Sequence, residues 1–448
     1  MSSGGVASEL PGSGMKWLAV AVLVVAAALL LRMGITAYAL YVLVGVMAAS
    51  RVLSRRWITA LHVRRTCDRV TAEVGDTFSV AVVLENRGLW PVPWVLLEDV
   101  LPRQAITSRP PRLEVKGPRI MAAMLRPKAR RHAAYRVTCR MRGYYQIGPS
   151  VLETGDLFGL HRRWRIAAEP QFVLVYPRLI PIRGYNLASR RPIGEVRLTH
   201  RLYEDPTRIV GCRLYEPGDP LRRVHWRATA RTGTLHSKVY EPSCVAGTTL
   251  LLDFHASSYP RRHEPLCSEL AVTAAASLAN AVYLQGQQVG LISNGRDAAD
   301  RIRLQGRQAE YRTRASAQQA AHMLDESDRL RPLIVPTRRG PEQLRRILET
   351  LARIEFTDGL TVAKLIHETS SRMPRDATVT AILPDVTDEA AWALGGLRDQ
   401  GFAVTAVVIA FDEDHALDCL GRLTRQGVDA RRVQNEEALA ALCQQQLI

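Results

Sequence analysis

Asp253, His255 and Ser257 put a carboxylate, an imidazole and a hydroxyl at alternate positions, straight after the apolar run Thr248–Leu252. A hard divalent cation takes oxygen ligands, and an aspartate with nearby hydroxyls supplies them. Asp385, behind a second apolar run, and Thr357, just ahead of a helical stretch, would add a second carboxylate and a further hydroxyl. The four candidate metal ligands are therefore Asp253, Ser257, Thr357 and Asp385, for Mg²⁺ or another divalent cation. A purely structural reading competes with this one. Aspartates at strand ends also bind the backbone N–H groups of helix N-termini.

A second concentration of chemistry lies at residues 213–240. It holds Tyr215, Pro217, Gly218, Asp219, Arg222, Arg223, His225, Trp226, Arg227, Arg231, Gly233 and Lys238. As an enzyme site it would use His225 as a general base oriented by Asp219 or Glu216. No nucleophile completes that set, and Gly-x-Ser-x-Gly does not occur. As a structural joint, Asp219 would form charged hydrogen bonds with the arginines while Trp226 wedges between domains. His236, His255 and Cys244 match no common zinc spacing. The joint reading accounts for more of these residues.

These residues need elements to hold them. Residues 248–448 alternate short apolar runs with helical stretches. Strands are expected at Thr248–Asp253, Gln288–Ser293, Thr378–Leu383 and Phe402–Ala410. Helices are expected at Pro265–Leu284, Ala317–Leu330, Pro341–Ile354, Val362–Arg372, Asp388–Asp399 and Glu436–Leu447. That alternation predicts a parallel, doubly wound α/β sheet. Such sheets bind ligands beyond the carboxyl ends of their strands, where Asp253 and Asp385 fall.

Residues 51–183 read differently. Phe78, Val80, Val82 and Leu84 alternate with other residues, and Tyr135, Val137, Cys139 and Met141 alternate with Arg136, Thr138, Arg140 and Arg142. Turns recur at Val74-Gly75-Asp76, Asn86-Arg87-Gly88 and Ile147-Gly148-Pro149. Period two with regular turns predicts an antiparallel sandwich of the immunoglobulin sort. Residues 184–247 form the joint, and residues 1–14 are a Gly/Ser-rich tail. The fold class is α/β plus all-β.

Two uncharged apolar runs, Trp17–Leu31 and Ile35–Ser50, flank Arg32-Met33-Gly34. One helix through both would be about 51 Å long, against a hydrocarbon thickness of roughly 30 Å. A transmembrane hairpin over 15–50 fits better. A cleaved signal peptide would leave the second run unexplained. Arg51, Arg55, Arg56, Arg64, Arg65 and Arg69 follow the second run and Lys16 precedes the first, which places both ends in the cytoplasm. The net charge of +17 divides into +20 over residues 1–247 and −3 over the remainder. The basic half is the one joined to the apolar runs, as expected beside anionic headgroups. Its charge is dispersed along strand-like segments, which disfavours nucleic acid as a partner. Seven widely spaced cysteines without a CxxC suggest neither a disulfide framework nor a zinc site. Reduced thiols in the cytoplasm are expected.

The run Tyr215-Glu-Pro-Gly-Asp-Pro-Leu-Arg-Arg-Val-His-Trp-Arg-Ala-Thr-Ala-Arg-Thr-Gly-Thr-Leu resembles the signature of domain of unknown function family 58. Gly155-Asp-Leu-Phe-Gly-Leu and Val175-Tyr-Pro-Arg-Leu resemble its second motif. The resemblance implies a membrane hairpin, a β domain and a von Willebrand factor A-like (Rossmann-like) C-terminal domain. It also implies a MoxR-type AAA+ ATPase and a transglutaminase-like membrane protein as partners, and no catalytic residue. In the complete A-like domain a metal sits on Asp-x-Ser-x-Ser with a distant Thr and Asp. Here His255 replaces the first serine, so the implied site is degenerate. The expected protein is a non-enzymatic scaffold or adaptor of the inner membrane with cytoplasmic domains. The alternatives are a hydrolase using the joint, and a basic module that binds anionic lipid or envelope polymer.

Overall fold

The computed structural model describes Ala26 and residues 34–157, 159, 161–183, 204–216, 223–242, 247–300, 330–374 and 377–443. The expected run Trp17–Leu31 lies outside the described residues apart from Ala26, and the expected helix Ala317–Leu330 lies outside them apart from Leu330. The chain divides into two compact units. The first comprises Met1–Arg178 with Arg296–Ser327 and Leu348–Phe356. The second comprises Leu179–Gly295, Asp328–Ile347 and Thr357–Ile448.

The first unit opens with α1 (Gly34–Ala60), a helix that runs on past the expected end at Ser50. Its early face is bare: Ile35, Tyr38, Val42 and Leu43 are exposed. Its last turns are not, because Ser54 is buried and Trp57 and Ile58 join the core of this unit. Period two therefore starts at Leu61. The strands are β1 (Leu61–Cys67), β2 (Thr71–Glu73), β3 (Thr77–Asn86), β4 (Val92–Asp99), β5 (Leu113–Lys116), β6 (Ile120–Leu125), β7 (Arg130–Cys139), β8 (Gly143–Ile147), β9 (Ser150–Gly155), β10 (Arg162–Ala168) and β11 (Gln171–Tyr176), with the short helix α2 at Arg103–Thr107. They form sheets β1-β3-β7-β5, β10-β9-β4-β6 and β2-β11-β8, antiparallel except where β2 meets β11. The alternation read from the sequence is the one that packs. Phe78, Val80, Val82 and Leu84 of β3 and Tyr135, Val137 and Cys139 of β7 all point into one core.

A buried ion pair sits inside that unit. Asp99, closing β4, faces Arg65 of β1 at 3.0 Å, with both side chains 2% exposed. Tyr135 of β7 donates its hydroxyl to Asp99 Oδ2 at 2.6 Å, and Ser150 of β9 donates to Oδ1 at 2.8 Å. Arg65 also donates to the Glu169 carbonyl. A single carboxylate thus ties strands of the two four-stranded sheets together. Burial, followed by the Asp99 carboxylate, pushes the Tyr135 phenol far above its ordinary range, so it stays a donor. Gly148 has φ +89°, and a Cβ there would overlap the Arg65 guanidinium. The turn residue and the ion pair are fitted to each other.

The second unit contains β12 (Glu204–Leu214), α3 (Trp226–Thr232), β13 (His236–Pro242), β14 (Gly247–Leu252), α4 (Leu266–Leu284) and β15 (Gln288–Ser293). The short strand β16 (Arg296–Asp297) pairs with β18 (Ile354–Glu355) and groups with the first unit. β17 (Leu333–Arg338), α5 (Pro341–Arg353, whose residues from Leu348 group with the first unit), α6 (Val362–Thr369), β19 (Ala377–Leu383), α7 (Asp388–Asp399), β20 (Val404–Ile409), α8 (Glu413–Arg425), β21 (Asp429–Val433) and α9 (Glu436–Ala440) complete the elements. β12 and β13 make an antiparallel pair. The large sheet has the order β17-β15-β14-β19-β20-β21. β15, β14, β19, β20 and β21 run parallel, and β17 is antiparallel to β15, which corrects the expectation of an all-parallel sheet.

α4 is long and apolar enough to cross a membrane, yet 78% of its apolar stretch is buried within the protein, as for a core helix. The corresponding stretch of α1 is 11% buried. The expected helix Val362–Arg372 is split into α6 and a 3₁₀ turn at Ser370–Arg372. α8 and β21 were not expected. All five parallel strands end on one edge of the sheet, and the candidate ligands follow them there.

Asp99→Ala would leave the Arg65 guanidinium and two hydroxyls buried without their acceptor. It should cost the first unit about 3–5 kcal/mol, read as an earlier tryptophan-fluorescence transition in urea. An unshifted midpoint would show that Asp99 does not hold the sheets together.

Candidate functional site

β14 is buried throughout its length, and its next residue, Asp253, is 0% exposed. Asp253 Oδ1 accepts the backbone N–H of His255 at 3.0 Å and the side-chain amide of Asn294 at 2.8 Å. Oδ2 is buried and has no hydrogen-bond partner. Burial raises the Asp253 carboxyl above the ordinary range, opposed by the Ser258 hydroxyl, the Asn294 amide and the His255 N–H. Register explains Asn294: Leu252 lies opposite Ser293, so the residues that follow each strand fall side by side. Asn294 also donates to the Leu360 carbonyl at 2.8 Å and accepts the Phe254 N–H at 2.6 Å. Asn294 is not among the residues expected from sequence, and its signal there is an Asn-Gly step directly after a buried strand.

Thr357 joins the same edge. His255 and Thr357 form a parallel bridge, the Ala256 N–H donates to the Thr357 carbonyl at 2.8 Å, and the Thr357 N–H donates to Phe254 at 3.2 Å. The Thr357 hydroxyl accepts the Gly359 N–H at 3.1 Å. The Ser257 hydroxyl is 2.7 Å from His255 Nδ1. Asp253, His255, Ser257 and Thr357 are therefore gathered on one stretch of the edge.

Asp385 has different neighbours. Its Oδ1 accepts the Val386 N–H at 2.8 Å and lies 3.6 Å from His415 Nε2 and 3.7 Å from Cys419 Sγ, both on α8. Burial pushes the Cys419 thiol up to about 11. The residues around Asp253 do not fit a hard six-coordinate cation. They offer one unbonded carboxylate oxygen sealed from solvent, an imidazole where an oxygen is wanted, and a serine hydroxyl already held by that imidazole.

The joint is partly described. Pro217, Gly218, Asp219 and Arg222 lie outside the described residues, and so does Cys244. His225 is the N-cap of α3: its Nδ1 accepts the Ala228 N–H at 3.0 Å. Gly233 closes the helix in the left-handed region at φ 73°. The His225 N–H donates to the His236 carbonyl at 2.8 Å, and the His236 N–H donates to the Thr229 hydroxyl at 3.1 Å, tying α3 to β13. Glu216 pairs with Arg213 at 3.3 Å. With Nδ1 spent on the cap, His225 is not set up as a base oriented by Glu216. Trp226 is 67% exposed, so the expectation of a buried wedge is not met. Arg227 and Arg231 are on α3, Arg231 in its last turn where it favours the helix dipole. Arg223 and Tyr215 flank the helix and β12 respectively.

Residues 211–314 match the family model described as "Protein of unknown function DUF58". The match covers the joint from residue 211 onward and runs through β14 and α4, in accord with the resemblance carried by Tyr215–Leu235. The chain is also similar to the uncharacterized protein YeaD of Bacillus subtilis (strain 168), 24% identical over 241 residues, covering 54% of this chain and 57% of the relative. The chain thus spans little more than half the length of this curated relative. Among solved structures, the pilus adhesin SpaC of Lactobacillus rhamnosus GG is similar over 44% of this chain and 29% of its own, at 11% identity and TM-score 0.29. Proximal thread matrix protein 1 from the mussel byssus is similar over 44% of each chain, at 10% identity and TM-score 0.28. A CARDB domain from Pyrococcus furiosus is similar over 26% of this chain and 91% of its own, at 16% identity and TM-score 0.17. Likenesses that low carry nothing further.

Because burial raises the Asp253 carboxyl, the folded state holds its proton to higher pH than the unfolded chain does. Stability should then fall as pH rises from the ordinary aspartate range, near ~3.9, through the raised folded value. Asp253→Asn should flatten that acid-range slope and be at least as stable as the parent at neutral pH. Thermal unfolding against pH checks this, and a variant less stable at pH 7 with an unchanged slope would contradict it.

Proposed function

We propose that this protein is a membrane-anchored, non-enzymatic adaptor whose large-sheet edge receives a protein partner. The observation that carries the reading is α1. Its N-terminal part is apolar and exposed while its last turns are built into the core of the first unit. The apolar part ahead of Arg51, residues 34–50, is about 25 Å long, close to a hydrocarbon layer of roughly 30 Å, and the remaining turns seat the helix end in protein. Arg51, Arg55 and Arg56 mark the end at which it would leave the bilayer, and they favour the cytoplasmic side.

The match to an uncharacterised family indicates no enzyme class, and the N-cap contact of His225 Nδ1 with the Ala228 N–H favours a structural role for that residue over a hydrolase base at the joint. The resemblance of the joint motif supports a MoxR-type AAA+ ATPase as the partner, with a transglutaminase-like membrane protein as a companion. The process served would be protein maturation or envelope assembly. The strand-edge segment with the exposed Ser257 and the half-buried His255 is the contact face we favour. A buried carboxylate with an unbonded oxygen beneath that segment is costly to keep for packing alone.

Crosslinking in intact cells followed by mass spectrometry tests the reading. The expected result is recovery of an AAA+ ATPase through residues near His255–Ser258, reduced severalfold in an Asp253→Ala variant that still reaches the membrane. Recovery of no ATPase, or turnover of a substrate by the purified protein alone, would overturn it.

A further inference from the structure

The edge of the large sheet carries a second cluster that the adaptor reading does not use. Asp385 stands two residues beyond β19. His415 and Cys419 are four residues apart on α8, and so lie one above the other on the same face of the helix. Asp385 Oδ1, His415 Nε2 and Cys419 Sγ form a nearly equilateral triangle, with sides of 3.6, 3.7 and 3.7 Å. Four ligands set tetrahedrally about Zn²⁺ at bond lengths of about 2.0–2.3 Å are separated by about 3.3–3.7 Å. The three atoms are therefore spaced as one face of that tetrahedron before any ion arrives.

We propose that Asp385, His415 and Cys419 form a binding site for a borderline divalent cation of the Zn²⁺ class, with a fourth position open to water or an incoming ligand. The donor set selects the metal. One carboxylate oxygen, one imidazole nitrogen and one sulfur suit Zn²⁺ or Co²⁺ and are a poor match for Mg²⁺ or Ca²⁺, which prefer all-oxygen shells. The site is also held in place. The Val386 N–H orients the Asp385 carboxylate at 2.8 Å. Cys419 is 0% exposed and packs in the core cluster with Ala416, Leu420 and Leu423. The Asp385 and His415 side chains are 32% and 33% exposed, so water and metal can reach the triangle from their side.

Two neighbours bear on occupancy. His415 Nε2 also faces the Pro384 carbonyl at 3.3 Å. A bound ion would take the Nε2 lone pair in place of that contact, leaving the ring proton on Nδ1. Arg422, one turn beyond Cys419, directs its guanidinium to the Val386 carbonyl at 2.6 Å and to Asp388 at 3.5 Å. Binding would release the Cys419 thiol proton to solvent and form the metal–sulfur bond.

The test uses the full chain, detergent-solubilised, stripped with a chelator and titrated with Co²⁺, followed by displacement with Zn²⁺. One equivalent of Co²⁺ per chain should give tetrahedral d–d absorption and a thiolate charge-transfer band, both lost on adding Zn²⁺. Cys419→Ser should abolish the thiolate band, and His415→Gln should weaken binding by at least about 100-fold, more than loss of an outer-shell partner costs. Cys267→Ser, a buried thiol on α4, should change neither. If Cys419→Ser does not fold, Asp385→Asn and His415→Gln carry the decision, and both should weaken binding. Absence of tetrahedral Co²⁺ bands, or bands that survive every substitution in the triangle, would reduce the cluster to a metal-free hydrogen-bonded contact and overturn the proposal.

Discussion

α1 has to satisfy two environments at once, and the remainder of the proposed architecture follows from that. Ile35, Tyr38, Val42 and Leu43 expose an apolar face that water disfavours at roughly 25 cal/mol per Å². Trp57 and Ile58, on the same helix, are fixed in the core of the first unit. No flexible linker intervenes, because the backbone is helical from Gly34 to Ala60 and β1 begins at Leu61. Whatever covers the apolar face is thereby coupled stiffly to the sheets. In the proposed reading a lipid bilayer covers that face, and the arginines that follow lie at its surface.

Two buried aspartates show how differently one residue type can be used. Asp99 accepts from a guanidinium and two hydroxyls on three other strands. It behaves as a cross-brace between two sheets. Asp253 receives the His255 N–H and the Asn294 amide on Oδ1, the Ser258 hydroxyl also acts on the carboxyl, and Oδ2 is buried. Burial raises the Asp253 carboxyl, and its donors are fewer than those around Asp99. The contrast separates a structural carboxylate from a functional candidate without reference to sequence motifs.

Much of the secondary structure was legible because burial wrote it into the periodicity. β15 and α7 fall where the apolar pattern places them, and β14, α4 and β19 agree to within a residue or so. β3 and β7 show the period of two that a half-buried strand requires. α8 was legible in principle: Ala416, Cys419, Leu420 and Leu423 repeat at helical spacing after Asp412. β21, with the sequence Asp-Ala-Arg-Arg-Val, carries too few apolar residues to stand out, and only pairing with β20 makes it a strand. The antiparallel direction of β17 depends on a connection that local pattern does not encode.

The candidate site was legible in part. Position after a buried strand marked Asp253 and Asp385, and local sequence marked His255 and Ser257. The division of these residues into two groups was hidden, because it depends on α8 bringing His415 and Cys419 to Asp385 from a distant part of the chain. Asn294 was hidden for the same reason, since strand register and not spacing places it beside Asp253. At the joint, residue types suggested a base, while the N-cap geometry of His225 gives it a local structural task.

A tag at the C-terminus, followed in cells stripped of any outer envelope, bears most sharply on the anchored, inward-facing arrangement. The protein should remain with the membranes through high-salt and alkaline washes, leave them only with detergent, and keep its tag protected from external protease until the cells are lysed. Release by salt alone, or digestion of the tag in intact cells, would contradict that arrangement.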